Sequence, residues 1–282
     1  MNEFTTTLPG DCDAMRRRLY EGEIFLLPAN ECTKALVEST LSAVVETLGT
    51  DYRKAHADYD SVEFFKRIGR LRKQIYTGPD FHALVNRVID SFGFDLSQQA
   101  YDPARLRVVS HEGHLNPAAA PIYYGHRDTW YSNPQGMLTW WIPLHDVIAD
   151  ETFEFFPQEF SRPVKNDSEI FDFDEWVSKG QAKRIGWQKK DTGRTAGYPS
   201  LQETPQGPRL PVVAGAGDLL LFSGQHLHQT RENMTDYTRF SLDFRTINLI
   251  DQSNGVEAVN VDNRSKGSSA VQFVYPNGSE LA

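Results

Sequence analysis

Near Arg105 the side-chain periodicity of the chain changes, and this change constrains the fold more than any other feature. Upstream, apolar residues recur at helical intervals. Asn30 is placed to cap a helix running to about Leu48, with Ala35, Leu36, Leu41, Val44, Val45 and Leu48 on its apolar stripe, and Phe81 to Phe92 reads as a second amphipathic helix. Glu23 to Leu27 is a short apolar run suited to an early strand. Downstream, short runs rich in Val, Ile, Phe, Trp and Thr alternate with turn residues: RLRVVS, LTWWIPL, TFEFFP, LPVVAG, DLLLFSG and RFSLDFRTINLI. Helices followed by many short strands predict a mainly β domain with flanking helices, an antiparallel double sheet of jelly-roll type. We read residues 1–282 as one domain with its core at about 100–248. The polar, Gly/Pro-rich stretch 158–209 reads as a lid or insertion, and 251–282 as a C-terminal extension.

Charge narrows the function classes. A net charge of -9 argues against non-specific nucleic-acid binding, which needs phosphate neutralisation. No apolar stretch approaches the roughly 18 to 20 residues of a membrane span, and the N-terminus lacks the order of a secretory signal. Two cysteines, Cys12 and Cys32, are too few for a disulfide framework, so a cytoplasmic compartment is expected. The basic run through Lys66, Arg67, Arg70, Arg72 and Lys73 reads as a solvated helix face, with a local surface for an anionic substrate as the other reading.

The chemistry concentrates in two segments. In GHRDTW, residues 125–130, side chains two apart share a face if the backbone is extended, so His126 and Asp128 project together. In GDLLLFSGQHLHQT, residues 217–230, His226 and His228 are also two apart, and alternation cannot choose between them. The following TRFSLDFRTI alternates: Phe240, Leu242 and Phe244 suit a core, while Arg239, Ser241, Asp243 and Arg245 face the other way. Two histidines and one carboxylate form the facial triad of non-haem Fe(II) oxygenases, with open positions for a co-substrate and dioxygen. If that co-substrate is 2-oxoglutarate, its far carboxylate needs a permanently charged, planar partner, and arginine supplies bidentate geometry.

At this point HRD at 126–128, WWIPLHDV at 140–147, GDLLLF at 217–222, His228 to Asn233 and Arg239 together resemble the phytanoyl-CoA dioxygenase-like branch of the 2-oxoglutarate oxygenases. The likeness spans roughly residues 100–248, with a weaker echo in EGEIFLLPAN. It implies a double-stranded β-helix holding Fe(II) and 2-oxoglutarate inside one end. It also implies an asparagine five residues after the distal histidine and an arginine eleven after it; these intervals select His228 over His226 and Arg239 over Arg245. Members often carry a PGSH-like motif where this chain reads ADETFEFFPQEFSR. Relatives that chlorinate replace the carboxylate ligand with a small residue. Asp128 is retained, which favours hydroxylation of a small-molecule substrate with release of succinate and carbon dioxide.

His111 and His114 suit a loop. Arg107, alternating with Leu106 and Val108, would contact the co-substrate or an anionic substrate if its strand faces the cavity. Trp130, Tyr131 and Gln135 follow the first ligands closely enough to form a pocket wall. Two rival readings fit parts of the pattern. A cupin-like metal enzyme without 2-oxoglutarate needs no buried cation at position 239, and a non-catalytic β-sandwich binding module needs no metal.

Overall fold

A computed structural model describes residues 3–178 and 197–279 of the chain. The order of elements is α1 (Cys12–Tyr20), β1 (Phe25–Leu27), α2 (Glu31–Leu48), α3 (Ala55–Asp58), α4 (Ser61–Thr77), α5 (Pro79–Ser91), β2 (Gln99–Val109), β3 (Leu138–Pro143) and β4 (Phe153–Phe155). Then follow α6 (Phe173–Ser178), β5 (Leu210–Pro211), β6 (Leu219–Ser223), β7 (His228–Thr230), β8 (Arg239–Asn248) and α7 (Leu249–Asn254). The expected helix from Asn30 is α2, and its start is a reciprocal cap: the Asn30 side chain accepts from the Cys32 and Thr33 amides, while Thr33 Oγ1 accepts from the Asn30 amide.

The strands form two antiparallel sheets, a five-stranded one in the order β1-β6-β3-β8-β2 and a three-stranded one in the order β5-β4-β7. This is the mainly β architecture with flanking helices expected of a jelly roll. Strand alternation divides the core. On β8, Phe240, Leu242 and Phe244 join the cluster that packs the large sheet against α2, α4 and α5. Trp140 on β3 takes the same side, stacked on Phe244 at 5.3 Å, with its indole N–H donating to Thr246. Its neighbour Trp141 points the other way, into the inter-sheet cluster with Phe153, Phe155 and Phe222. The polar face of β8 therefore lines the space between the sheets.

Two regions read as appendages are built into the fold. Of the stretch 158–209, residues 179–196 lie outside the described residues; the remainder contributes α6 and a bridge from Asn166 to Leu201 and leads into β5. The chain after β8 returns across the molecule, where Val274 pairs with Tyr101 and Phe273 is buried. Register on the β2–β8 pair shifts between Asp102 and Arg105, where Pro103 has no amide to donate to the ladder.

His145 fastens the end of β3 to β8. Its Nε2 accepts from the Phe240 amide at 3.1 Å and its Nδ1 donates to the Asp146 carbonyl at 2.8 Å. Burial pushes it down to about 4, with the nearby cations Arg53 and Arg239 acting in the same direction against the Asp146 contacts. The unfolded chain takes up this proton near 6.5 and the native one does not. Stability therefore falls as pH drops from about 6.5 to about 4. His145→Gln should remove on the order of 2–3 kcal/mol of that acid dependence, read as urea midpoint against pH; identical slopes would contradict the assignment.

Candidate active site

The two motif segments meet through backbone pairing. The His126 amide donates to the His228 carbonyl at 3.0 Å, and the His228 amide returns the bond to His126 at 3.0 Å. This reciprocal pair extends β7 and brings the imidazole centroids to 4.4 Å, the rings tilted by 55°. Arg127 is extended (φ -102°, ψ 141°), so the side chains of His126 and Asp128 leave the same side. Nε2 of His126 lies 3.6 Å from Asp128 Oδ1 and Nε2 of His228 lies 4.0 Å from the same oxygen. Among the described residues this is the one group of three donors close enough to hold a metal ion, with ligand atoms all within 4.8 Å.

Surrounding groups set the chemical state of each donor. Nδ1 of His126 donates to the Tyr124 carbonyl at 2.8 Å and Nδ1 of His228 to the His226 carbonyl at 3.0 Å, so both Nε2 lone pairs face Asp128. Burial, then the neighbouring His126, pushes His228 down to about 4, which leaves it neutral and able to ligate at pH 7. Burial by itself would raise Asp128. The adjoining His126 and the positive charge of Arg245 outweigh it and hold the carboxyl well below the usual carboxylate range. Thr139 donates to Asp128 Oδ2 at 2.8 Å, leaving Oδ1 to the centre of the triad. His226 has both ring nitrogens against backbone carbonyls, those of Ser223 and Gly22, and is a structural histidine.

Between the two ligands of the first motif, Arg127 is fully buried. Its Nε donates to both oxygens of Asp262 at 3.1 Å, and its Nη nitrogens donate to the carbonyls of Gln225, Glu159 and Arg162. Asp262 also accepts from Trp130 Nε1 at 2.8 Å and from the Val164 amide at 3.0 Å. A residue of the C-terminal segment thus fixes the backbone that carries two of the three donors. No motif marks Asp262 in the sequence; the one clue is an arginine set between two candidate ligands, where a buried cation needs a carboxylate.

The triad lies in a cavity of about 750 Å³, a size that suits a small-molecule site. Arg239 lines it from the start of β8, only 4% exposed. Its guanidinium rests near the rings of Trp141 and Phe153, at 6.0 and 5.9 Å, and burial pulls it down to about 10. Its Nε and Nη1 have no hydrogen-bond partner among the described residues. Arg245, six residues along, is engaged with Asp102 at 3.0 Å. Asn233 shapes the turn that returns Arg239 to the cavity: its side-chain amide donates to the carbonyls of Val109 and Tyr237, and its oxygen accepts from Thr235.

The remaining expected site residues divide. Arg107 and Tyr131 line the cavity; Arg107 donates Nε to Asp243 at 2.7 Å, and Tyr131 packs edge-on against His126 at 5.3 Å. Trp130 does not reach the cavity. Residues 128–131 turn as a 3-10 helix, so the outward strand ends at Asp128, and Trp130 is swung into a separate cluster with Phe156, Val164 and Leu227. Gln135 is likewise outside the cavity lining, in the loop before β3. His111 and His114 sit on the loop after β2, away from the triad, as expected.

Removing the buried carboxylate that holds Arg127 should loosen the metal donors. Asp262→Ala is expected to cost about 3–5 kcal/mol of stability and to weaken Fe(II) or Co(II) binding by about 10- to 100-fold, measured by urea unfolding and metal titration. Metal affinity equal to that of the native chain would show that Asp262 does not position the donors.

No curated protein sequence matches. The solved structure of EvdO2 from Micromonospora carbonacea var. aurantiaca is 12% identical, with 86% of this chain and 94% of that one covered at a TM-score of 0.50, a likeness of fold. The non-heme alpha ketoglutarate dependent carbocyclase SnoK from nogalamycin biosynthesis is 13% identical over 95% of this chain and 98% of its own, with a TM-score of 0.42. The phytanoyl-CoA dioxygenase (PhyH) family model matches residues 11–241, most of the sequence. The chain belongs to the phytanoyl-CoA dioxygenase family of 2-oxoglutarate-dependent non-haem iron enzymes.

Proposed function

We propose that the chain oxidises a C–H bond of a small molecule at an Fe(II) centre held by His126, Asp128 and His228, with 2-oxoglutarate anchored by Arg239. The observation that carries this reading is the unpartnered guanidinium of Arg239 in the same cavity as the triad. A cation buried without an anion is costly, and a dicarboxylate reaching from the metal supplies the missing partner. A cupin-like enzyme without that co-substrate leaves this charge unexplained.

When bound, iron and 2-oxoglutarate together supply an oxidant for a C–H bond, with succinate and carbon dioxide as co-products. The protein's part is to bind, orient and exclude water. His126 and His228 present their Nε2 atoms to the centre, each ring oriented by its Nδ1 bond. Asp128 is ionised and turned by Thr139 so that one oxygen faces the centre. Trp141, Phe153 and Phe222 give that part of the cavity apolar walls, which strengthen the Arg239–carboxylate attraction by keeping water away. Because the carboxylate ligand is retained, hydroxylation is favoured over halogen transfer.

Incubation with Fe(II), 2-oxoglutarate and air should give succinate even without the primary substrate, at a slow uncoupled rate. His126→Ala and His228→Ala should each abolish it along with metal binding. Arg239→Gln should raise KM for 2-oxoglutarate by at least about tenfold with Fe(II) affinity retained. Succinate formation indifferent to the histidine changes would sink this assignment, and a β-sandwich binding module would show no metal dependence at all.

A further inference from the structure

The cavity has a second charged region that iron and 2-oxoglutarate leave unused. The helix α4 presents Gly69, Arg72, Lys73, Tyr76 and Thr77 to it, an unbroken face of i, i+3, i+4, i+7 and i+8 positions. The basic run of this helix is divided along its length. Lys66, Arg67 and Arg70 gather around Glu63 at 3.6, 2.9 and 3.8 Å on the outside. Arg72 and Lys73 face the cavity instead, and among the described residues no carboxylate lies within ion-pair distance of either.

Arg72 is 9% exposed, and its Nε donates to the Leu106 carbonyl at 3.1 Å. No described protein group accepts from its two Nη nitrogens. On the adjoining strand Arg107 uses Nε for Asp243 and leaves both its Nη nitrogens without a described partner. Six cationic side chains line the cavity against two lining carboxylates, Asp128 and Asp243, while Asp102, outside the lining, pairs with Arg105 and Arg245 and leaves the cations in excess. Binding of Fe(II) with the 2-oxoglutarate dianion adds no net charge, so the positive excess persists in the loaded site. It does so inside a chain whose net charge is -9, which makes the cavity a local focus for anions.

Another part of the lining is aromatic. From the candidate iron ligand His126 the rings run to Tyr131 at 5.3 Å, from Tyr131 to Phe171 at 5.5 Å, and from Phe171 to Trp176 at 6.5 Å. A body lying along these rings could reach the metal centre while a charged end rests on α4 and β2.

We infer that the primary substrate is an organic anion, with a carboxylate or phosphate bound by Arg72, Arg107 and Lys73 and an apolar or aromatic body lying along Tyr131, Phe171 and Trp176. This rests on the reading of His126, Asp128 and His228 as the iron site. Paired guanidiniums suit either oxyanion, since each can donate two parallel N–H bonds.

The test is calorimetric titration of the full chain, loaded anaerobically with Fe(II) and saturating 2-oxoglutarate, with phenyl phosphate, phenylacetate and neutral benzyl alcohol. At least one anion should bind about tenfold or more tighter than the alcohol, and the better anion distinguishes phosphate from carboxylate. Arg72→Gln should lose most of that preference, and so should Lys73→Glu, an exposed position where folding is not at stake. Both variants should keep native Fe(II) and 2-oxoglutarate affinity. Equal affinity for the three probes, no binding of any, or a preference unmoved in both variants would overturn the inference while leaving the iron site standing. A native chain that binds neither Fe(II) nor 2-oxoglutarate would instead overturn the parent reading, and this inference with it.

Discussion

Two reciprocal backbone hydrogen bonds between His126 and His228 are the interaction on which the site depends. They join segments separated by about a hundred residues and bring two imidazoles into contact without any contribution from the side chains. Once that pairing forms, the extended conformation of Arg127 places Asp128 beside them. The pairing is short, and a short exposed pairing is weak on its own. Its support comes from Arg127, whose guanidinium ties the carbonyls of residues 159, 162 and 225 to Asp262. The donors are thus held by a buried ion pair that touches none of them, and the rigidity of the site is a property of the surrounding shell.

Much of the fold was legible because periodicity reports it directly. The alternation of β8 separated Phe240, Leu242 and Phe244 from Arg239 and Asp243, and the structure divides them in the same way. Closeness to the ligands misplaced Trp130, since the backbone does not stay extended beyond Asp128, where a 3-10 turn begins. His226 and His228 were indistinguishable by alternation. Their difference lies in the carbonyls around them, which occupy both nitrogens of His226 and one of His228. The family intervals that selected His228 also acquire a physical meaning: Asn233 holds the turn whose length returns Arg239 to the cavity.

Long-range partners were not legible. Asp262 sits in a polar segment read as an extension, and nothing local distinguishes it from its neighbours. The basic run of α4 was ambiguous for a different reason. Its composition suggested one solvated face, whereas Lys66, Arg67 and Arg70 on the earlier turns collect around Glu63 and Arg72 and Lys73, nearer the C-terminal end, line the cavity. A linear charge count cannot resolve that division, because it depends on which part of the helix the cavity reaches.

The central claim, that one cavity holds both a three-donor metal site and a dicarboxylate anchor, is tested most directly by a crystal structure grown anaerobically with Fe(II) and 2-oxoglutarate. The account predicts iron bound by Nε2 of His126, a carboxylate oxygen of Asp128 and Nε2 of His228, with the far carboxylate of 2-oxoglutarate on the guanidinium of Arg239. Iron elsewhere, or a dicarboxylate seated on Arg245 with Arg239 still unpartnered, would contradict it.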